Sequence, residues 1–175
     1  MDHASMRSAL ENTTRVLTEH PDKARTKTAP LTARLVDGLR FEVKGGGGEL
    51  VHTDMPASMG GEGSAPNPGW LMRAALAACT ATVIAMRAAR RGVTLTTLEV
   101  VAEGDSDQRR LLGIDDAAAS VTGLRLKLRL GAADANDAEL RAIAAWGDAH
   151  SPVACTLRRP PGIETEVEIV PAAGG

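Results

Sequence analysis

An α+β fold is predicted by three features of the 175-residue chain. Short runs with a two-residue alternation, "LTARLVDG", "LRFEVK" and "ELVHTD", cluster ahead of one long apolar helix, "NPGWLMRAALAACTATVIAMRAARRG". Two more alternating runs follow that helix, then a shorter helix and a last alternating run, giving the order β-β-β-α-β-β-α-β. Strands gathered in runs argue against a doubly wound parallel sheet.

Each element has a local reason. Met6, Leu10, Val16 and Leu17 punctuate polar residues in 5–19, a weakly amphipathic helix that Pro21 ends. "HPDKARTKTAP" reads as a linker, so 1–29 is an N-terminal helix and linker and 30–172 one domain. From Leu31 the period is two, broken at Asp37-Gly38 and at Gly45 to Gly48, which predicts a three-stranded meander with tight turns. "MPASMGGEGSAPNPG" is a loop of about fifteen residues, long for a connection without a task. Asn67 and Pro68 are an N-cap and first-turn pair, and Gly92 stops the helix they start.

"TLEVVAEGDSD" is the next strand, followed by an acidic loop, "IDDAAAS". "VTGLRLKLRLGA" sets Leu124, Leu126, Leu128 and Leu130 against Arg125, Lys127 and Arg129, a strand with one buried and one solvated face. "DANDAELRAIAAWGDAH" is a capped amphipathic helix, "SPVACTL" turns the corner, and "IETEVEIV" is a final alternating strand.

Composition narrows the function. The net charge of −2 offers no basic field for phosphate, and Trp70, Trp146 and Phe41 are the only aromatic rings besides histidine. Single-stranded nucleic-acid binding needs stacking faces and a positive groove, so nucleic acid is not an expected partner. The polar N-terminal run is not a secretion signal, and Thr80, Thr82 and Arg87 interrupt the longest apolar stretch, so the expectation is a cytoplasmic chain without a membrane partner. Two distant cysteines make no disulfide framework, and four scattered histidines make no ligand cluster, so neither metal nor other cofactor is expected.

Cys79 lies within the long helix, sharing an apolar face with Met72, Ala75, Leu76, Val83 and Met86 at about 100° per residue. The ordinary reading is an inert core thiol. A nucleophile there needs help, because a free thiol ionises near pH about 8.5 and apolar burial opposes ionisation. The helix N-terminus is about three turns away, beyond the reach of its dipole. Arg73 lies well around the wheel and Arg87 is two turns on, so a cation must come from the meander, through Arg34 or Arg40. Other candidates are weaker. Gly45 to Gly48 matches no phosphate-binding fingerprint, and His150-Ser151 lacks the strained elbow of a hydrolase. Trp70 is a core or interface aromatic, or a residue that lines a pocket.

The meander, the "GGEGSAPNPG" loop, the helix "PNPGWLMRAALAAC", the strand "LEVVAEGD" and the tail "SPVACTLRRPPGIETEVEIV" together resemble the OsmC/Ohr family over about residues 30–170. That resemblance implies an OsmC-like α+β fold, an intertwined homodimer, and a thiol-dependent peroxidase of oxidative-stress defence that reduces organic hydroperoxides. It places the peroxidatic cysteine at Cys79. Three other family positions depart from the pattern: Gly69 stands for the glutamate after "NP", Ser151 for the resolving cysteine before "PV", and Val36 for the arginine before an Asp-Gly turn.

Glu62 is the substitute for that glutamate, and Arg34, two residues before Val36, is the first choice of arginine, with Arg40 the second. Cys155, one helical turn after Ser151 if that segment is helical, or an external thiol reductant, recycles Cys79. Bridging Cys79 to Cys155 requires their Cβ atoms about 4 Å apart. The alternative left open is a non-catalytic dimeric module of the same fold that binds an apolar small molecule.

Overall fold

The computed structural model describes residues 3–114, 116 and 118–171. Asp115 and Ala117 of the expected acidic loop, and the domain's last expected residue, Ala172, lie outside the described residues. The order is α1 (His3–Glu19), β1 (Thr32–Asp37), β2 (Arg40–Lys44), β3 (Leu50–Thr53), α2 (Pro68–Arg91), β4 (Leu95–Asp105), α3 (Gln108–Leu111), β5 (Thr122–Ala132), α4 (Asp137–His150) and α5 (Pro152–Arg158). Short 3₁₀ turns at Pro21–Ala24 and Ala57–Met59 punctuate the linker and the long loop.

Strands β1-β2-β3 form an antiparallel meander, with Arg34 opposite Glu42 and Glu42 opposite His52. Strands β4 and β5 form a separate antiparallel pair, with Val100 opposite Leu128. The mixed α+β class is thus as the sequence predicts. One element is not. Residues 163–170, expected to be a strand, pair with no neighbour among the described residues. Alternation specifies which face a strand buries; the hydrogen bonds that make it a strand need an edge to dock on. "SPVACTL" is likewise more than a corner: it is α5, started by Ser151 and Pro152.

Helix α2 holds the second half together. Asn67 caps it by accepting from the Trp70 N–H at 2.8 Å, and Gly92 ends it at φ 75°, a left-handed backbone that favours glycine. By length and composition α2 is apolar enough to cross a membrane. Here it packs against β4, α4, α1 and α5. Its buried residues are Leu76, Thr80, Ile84, Ala88 and Ala89, four of them at a spacing of four. Ile84 and Ala88 join Val93 and Ile143 in the core, beneath Leu98, Val100, Leu128 and Leu130 of the sheet. Each fully buried isoleucine contributes about 1.5–3 kcal/mol.

Where α2 crosses α4, a Cβ on Gly147 would lie 3.0 Å from the backbone N and Cα of Ile84. At the far side of the same junction the Arg87 guanidinium lies 4.7 Å from the Trp146 ring centroid. The His150 ring stacks on Trp146 with centroids 3.9 Å apart. The meander makes its principal contacts within itself, and its apolar side chains Leu31, Leu35, Val36, Leu39, Leu50 and Val51 are exposed in the single chain.

Candidate functional site

Cys79 is a free, half-buried thiol with no hydrogen-bond partner among the described residues. The apolar face expected for it is only partly covered: Leu76 is buried, but Ala75 and Met86 are exposed and Met72 and Val83 half-buried. The stripe that faces the core runs through Leu76, Thr80, Ile84 and Ala88 instead, about 100° around the helix. Cys79 therefore borders the core and does not fill it.

Its neighbour Thr80 is fully buried and donates from Oγ1 to Ser151 Oγ at 3.2 Å. Ser151, also fully buried, caps α5 by accepting from the Ala154 N–H at 3.4 Å. A buried hydroxyl left unpaired is costly, and here each supplies the other's partner. The start of α5 is thereby fixed against the turn of α2 that carries Cys79. Cys155 is the other free thiol, one helical turn past Ser151, whose carbonyl accepts from the Cys155 N–H at 2.9 Å. Its Sγ donates to the Ala149 carbonyl at 3.2 Å, back toward the end of α4.

The two candidate arginines occupy different places. Arg34 lines a groove of about 300 Å³ with Thr32, Glu42 and Lys44 on the meander. Lys44, hydrogen-bonded to Glu42, is the main cause that holds the Glu42 carboxyl below its usual range, with His52 and Arg34 adding attraction and burial opposing. Arg40 lies in a smaller recess of about 160 Å³ with Asp37, Asp54 and Glu62. So Arg40 and the proposed glutamate substitute, Glu62, share a recess, whereas Arg34 faces Glu42. Trp70 is half-exposed in the first turn of α2, nine residues and so half a rotation from Cys79. A Cβ on Gly69 would lie 3.7 Å from an Arg73 guanidinium nitrogen.

Asp54, which the sequence did not single out, organises the loop leading into α2. It is 2% exposed, and its carboxylate accepts from the N–H groups of Met55 (2.7 Å), Glu62 (3.2 Å) and Ser64 (2.9 Å) and from Ser64 Oγ (2.9 Å). Its only sequence signal is an acid at a strand end ahead of a Gly/Pro loop, a common site for side-chain-to-backbone turns. Gly61 closes the turn where a Cβ would meet Asp54 Oδ1 at 2.7 Å and the Met55 carbonyl carbon at 2.6 Å.

The Ser64 N–H is the leading cause that lowers the Asp54 carboxyl below its ordinary value, against burial, which raises it. A lowered folded value stabilises the protein fully above the unfolded aspartate value of about 3.9 and less as pH falls through the folded one. Asp54→Asn is expected to lower the urea midpoint at pH 7 and to flatten its fall below about pH 4. Parallel pH profiles for the two proteins would refute this role.

Taken together, these features define an α+β protein built on a long central helix that carries an unpaired thiol beside a capped second helix. The comparisons agree. The family model described as "OsmC-like protein" matches residues 61–166, more than half of the chain, and the chain belongs to the OsmC family. The chain is similar to an organic hydroperoxide resistance protein OsmC from Legionella pneumophila, at 22% identity over 77% of this chain and 93% of that one, with a TM-score of 0.56. An OsmC-like protein from Mycoplasma pneumoniae is 15% identical over 78% and 91%, with a TM-score of 0.65. The organic hydroperoxide resistance protein OhrB of Bacillus subtilis is 18% identical over 77% and 93%, with a TM-score of 0.51. At these identities the likeness establishes the fold. No curated protein matches the chain.

Proposed function

We propose that the protein is a cytoplasmic, homodimeric thiol-dependent peroxidase that reduces organic hydroperoxides at Cys79. The observation that carries the reading is the unpaired, half-buried Cys79 thiol, one residue from the Thr80–Ser151 bond that anchors α5 to its turn of helix. The Cys79 thiolate attacks the terminal peroxide oxygen, the O–O bond breaks, and the leaving alkoxide takes a proton to become the alcohol. Sulfur keeps the hydroxyl as a sulfenic acid. One external thiol displaces water to give a mixed disulfide, and a second releases Cys79 as thiol. Two small thiols are oxidised per hydroperoxide reduced.

The cation comes from a meander, Arg34 first and Arg40 beside Glu62 second, contributed by the second copy because the meander packs on itself within one chain. An external thiol is favoured over Cys155 because the Cys155 Sγ is bonded to the Ala149 carbonyl. Stopped-flow oxidation by cumene hydroperoxide tests the proposal; a rate no faster than that of free cysteine ends it.

The hydroxyl at 151 favours a second reading, a dimeric module that holds an apolar small molecule without turnover. Native mass spectrometry of the purified protein separates the two: a bound ligand supports the module, and an empty, peroxide-competent protein excludes it. Ser151→Cys bears on the first reading. Because Ser151 Oγ lies 3.2 Å from Thr80 Oγ1, a thiol there is placed beside the Cys79 turn. Hydroperoxide should then produce a disulfide between residues 79 and 151 and remove two free thiols per chain. Persistence of both thiols would show that this turn is not within bridging range.

A further inference from the structure

Helix α1 packs on α2, and the two enclose a cleft of about 150 Å³. Its walls are apolar: Leu10 and Leu17 on the α1 side, Val83, Met86 and the Trp146 ring opposite. Two cations, Arg87 and Arg90, stand at the same cleft.

The arginines separate this cleft from a simple gap in packing. Arg91, beside Arg90 in the last turn of α2, pairs with Glu139 at 3.1 Å, and Arg7 of α1 pairs with Glu11 at 2.8 Å. Arg87 and Arg90 have no carboxylate partner among the described residues. The C-terminal dipole of α2 favours a positive charge at Arg90, but it does not account for the apolar walls beside that charge. Arg87 lies over the Trp146 ring at 4.7 Å, and a guanidinium held against an aromatic face keeps its in-plane N–H groups free to donate.

We infer that the α1–α2 cleft binds a small aromatic carboxylate. The ring sits among Leu10, Leu17, Val83 and Met86, and the carboxylate is held by Arg87 and Arg90. An apolar cavity of about 150 Å³ takes up one benzene-sized ring, whereas sites for larger ligands start near about 300 Å³. A ring is favoured over an alkyl chain of the same volume because it has no internal torsions to freeze. A carboxylate is the anion whose two oxygens match the fork of a guanidinium, and the apolar walls strengthen that attraction by displacing water. Val83 is one turn from Cys79 on the same face of α2. Binding here asks nothing of the sulfur, so the inference stands or falls apart from the peroxidase reading.

The unaltered protein, carrying ¹³C-labelled methyl groups, is titrated with benzoate at low salt. The methyl resonances of Leu10, Leu17, Val83 and Met86 are expected to shift together and to saturate. The dissociation constant should be about 1 mM or tighter, within what so small a ligand can supply. Benzyl alcohol has the ring without the charge, and acetate the charge without the ring. Each should bind at least about tenfold more weakly. Either of them matching benzoate would overturn the inference, as would shifts that fail to saturate or that fall elsewhere in the molecule. Two exposed positions give an independent check. Thr13, on the α1 side of the cleft, offers a competing ring when changed, so Thr13→Phe should lose benzoate binding. Arg90→Gln should weaken it at least about tenfold. The parent affinity in either variant would also overturn the inference.

Discussion

Cys79→Ser is expected to lose hydroperoxide reduction altogether, by at least about a thousandfold, the scale seen when an enzyme's nucleophile is removed. The reason is electronic as well as acid–base. Sulfur accepts the peroxide oxygen because it is oxidised from thiol to sulfenic acid, and a hydroxyl oxygen has no corresponding step. Serine is close in size, and the position only borders the core, so folding should be unaltered. Steady-state reduction of cumene hydroperoxide with dithiothreitol reads the effect, and circular dichroism checks the fold. Retention of more than a tenth of the rate would transfer the chemistry to Cys155, whose own serine variant should slow recycling little.

The second large effect is on stability. Gly147→Ala should lower the free energy of unfolding by about 1–3 kcal/mol, the range for overpacked cores. Alanine is the better helix former by about 1 kcal/mol, so on an open helix the change would stabilise. Here the added methyl would stand 3.0 Å from backbone atoms of Ile84. Backbone inside a packed helix cannot turn aside as a side-chain tip does, so α2 and α4 must separate and lose contact along their crossing. Urea denaturation measures the difference. A midpoint equal to or above the parent's would mean that the crossing is looser than described. Gly147→Leu, if it folds at all, should be worse.

What the sequence made legible follows the range of the interactions involved. The start and stop of α2 are local, written in Asn67-Pro68 and Gly92, and the structure places them there. The β1–β2 turn at Asp37-Gly38 and the alternation of β4 and β5 are also short-range patterns. The last alternating run is not a strand among the described residues, because alternation sets which face is apolar and does not supply a hydrogen-bonding edge. At the site, the helix and the thiol were legible, but which stripe of α2 faces the core was set by where β4 and α4 lie.

The Thr80–Ser151 bond joins residues 71 positions apart and leaves no mark on either neighbourhood. The same limit applies to Asp54, three of whose four donors are backbone N–H groups that almost any residue supplies. The departure at Ser151 was visible as a missing sulfur; that its hydroxyl has structural work as a cap and a partner to Thr80 required the fold.

The scarcity of rings has a practical outcome. With no tyrosine, ultraviolet emission from this molecule comes almost wholly from two indoles in unlike settings. Trp70 is half in water at the head of α2, while Trp146 is held between a guanidinium and an imidazole where α2 and α4 meet. A soluble quencher such as iodide should therefore dim Trp70 more than the half-buried Trp146. Single replacement by phenylalanine assigns each signal, giving an unlabelled optical readout of both ends of the central helix.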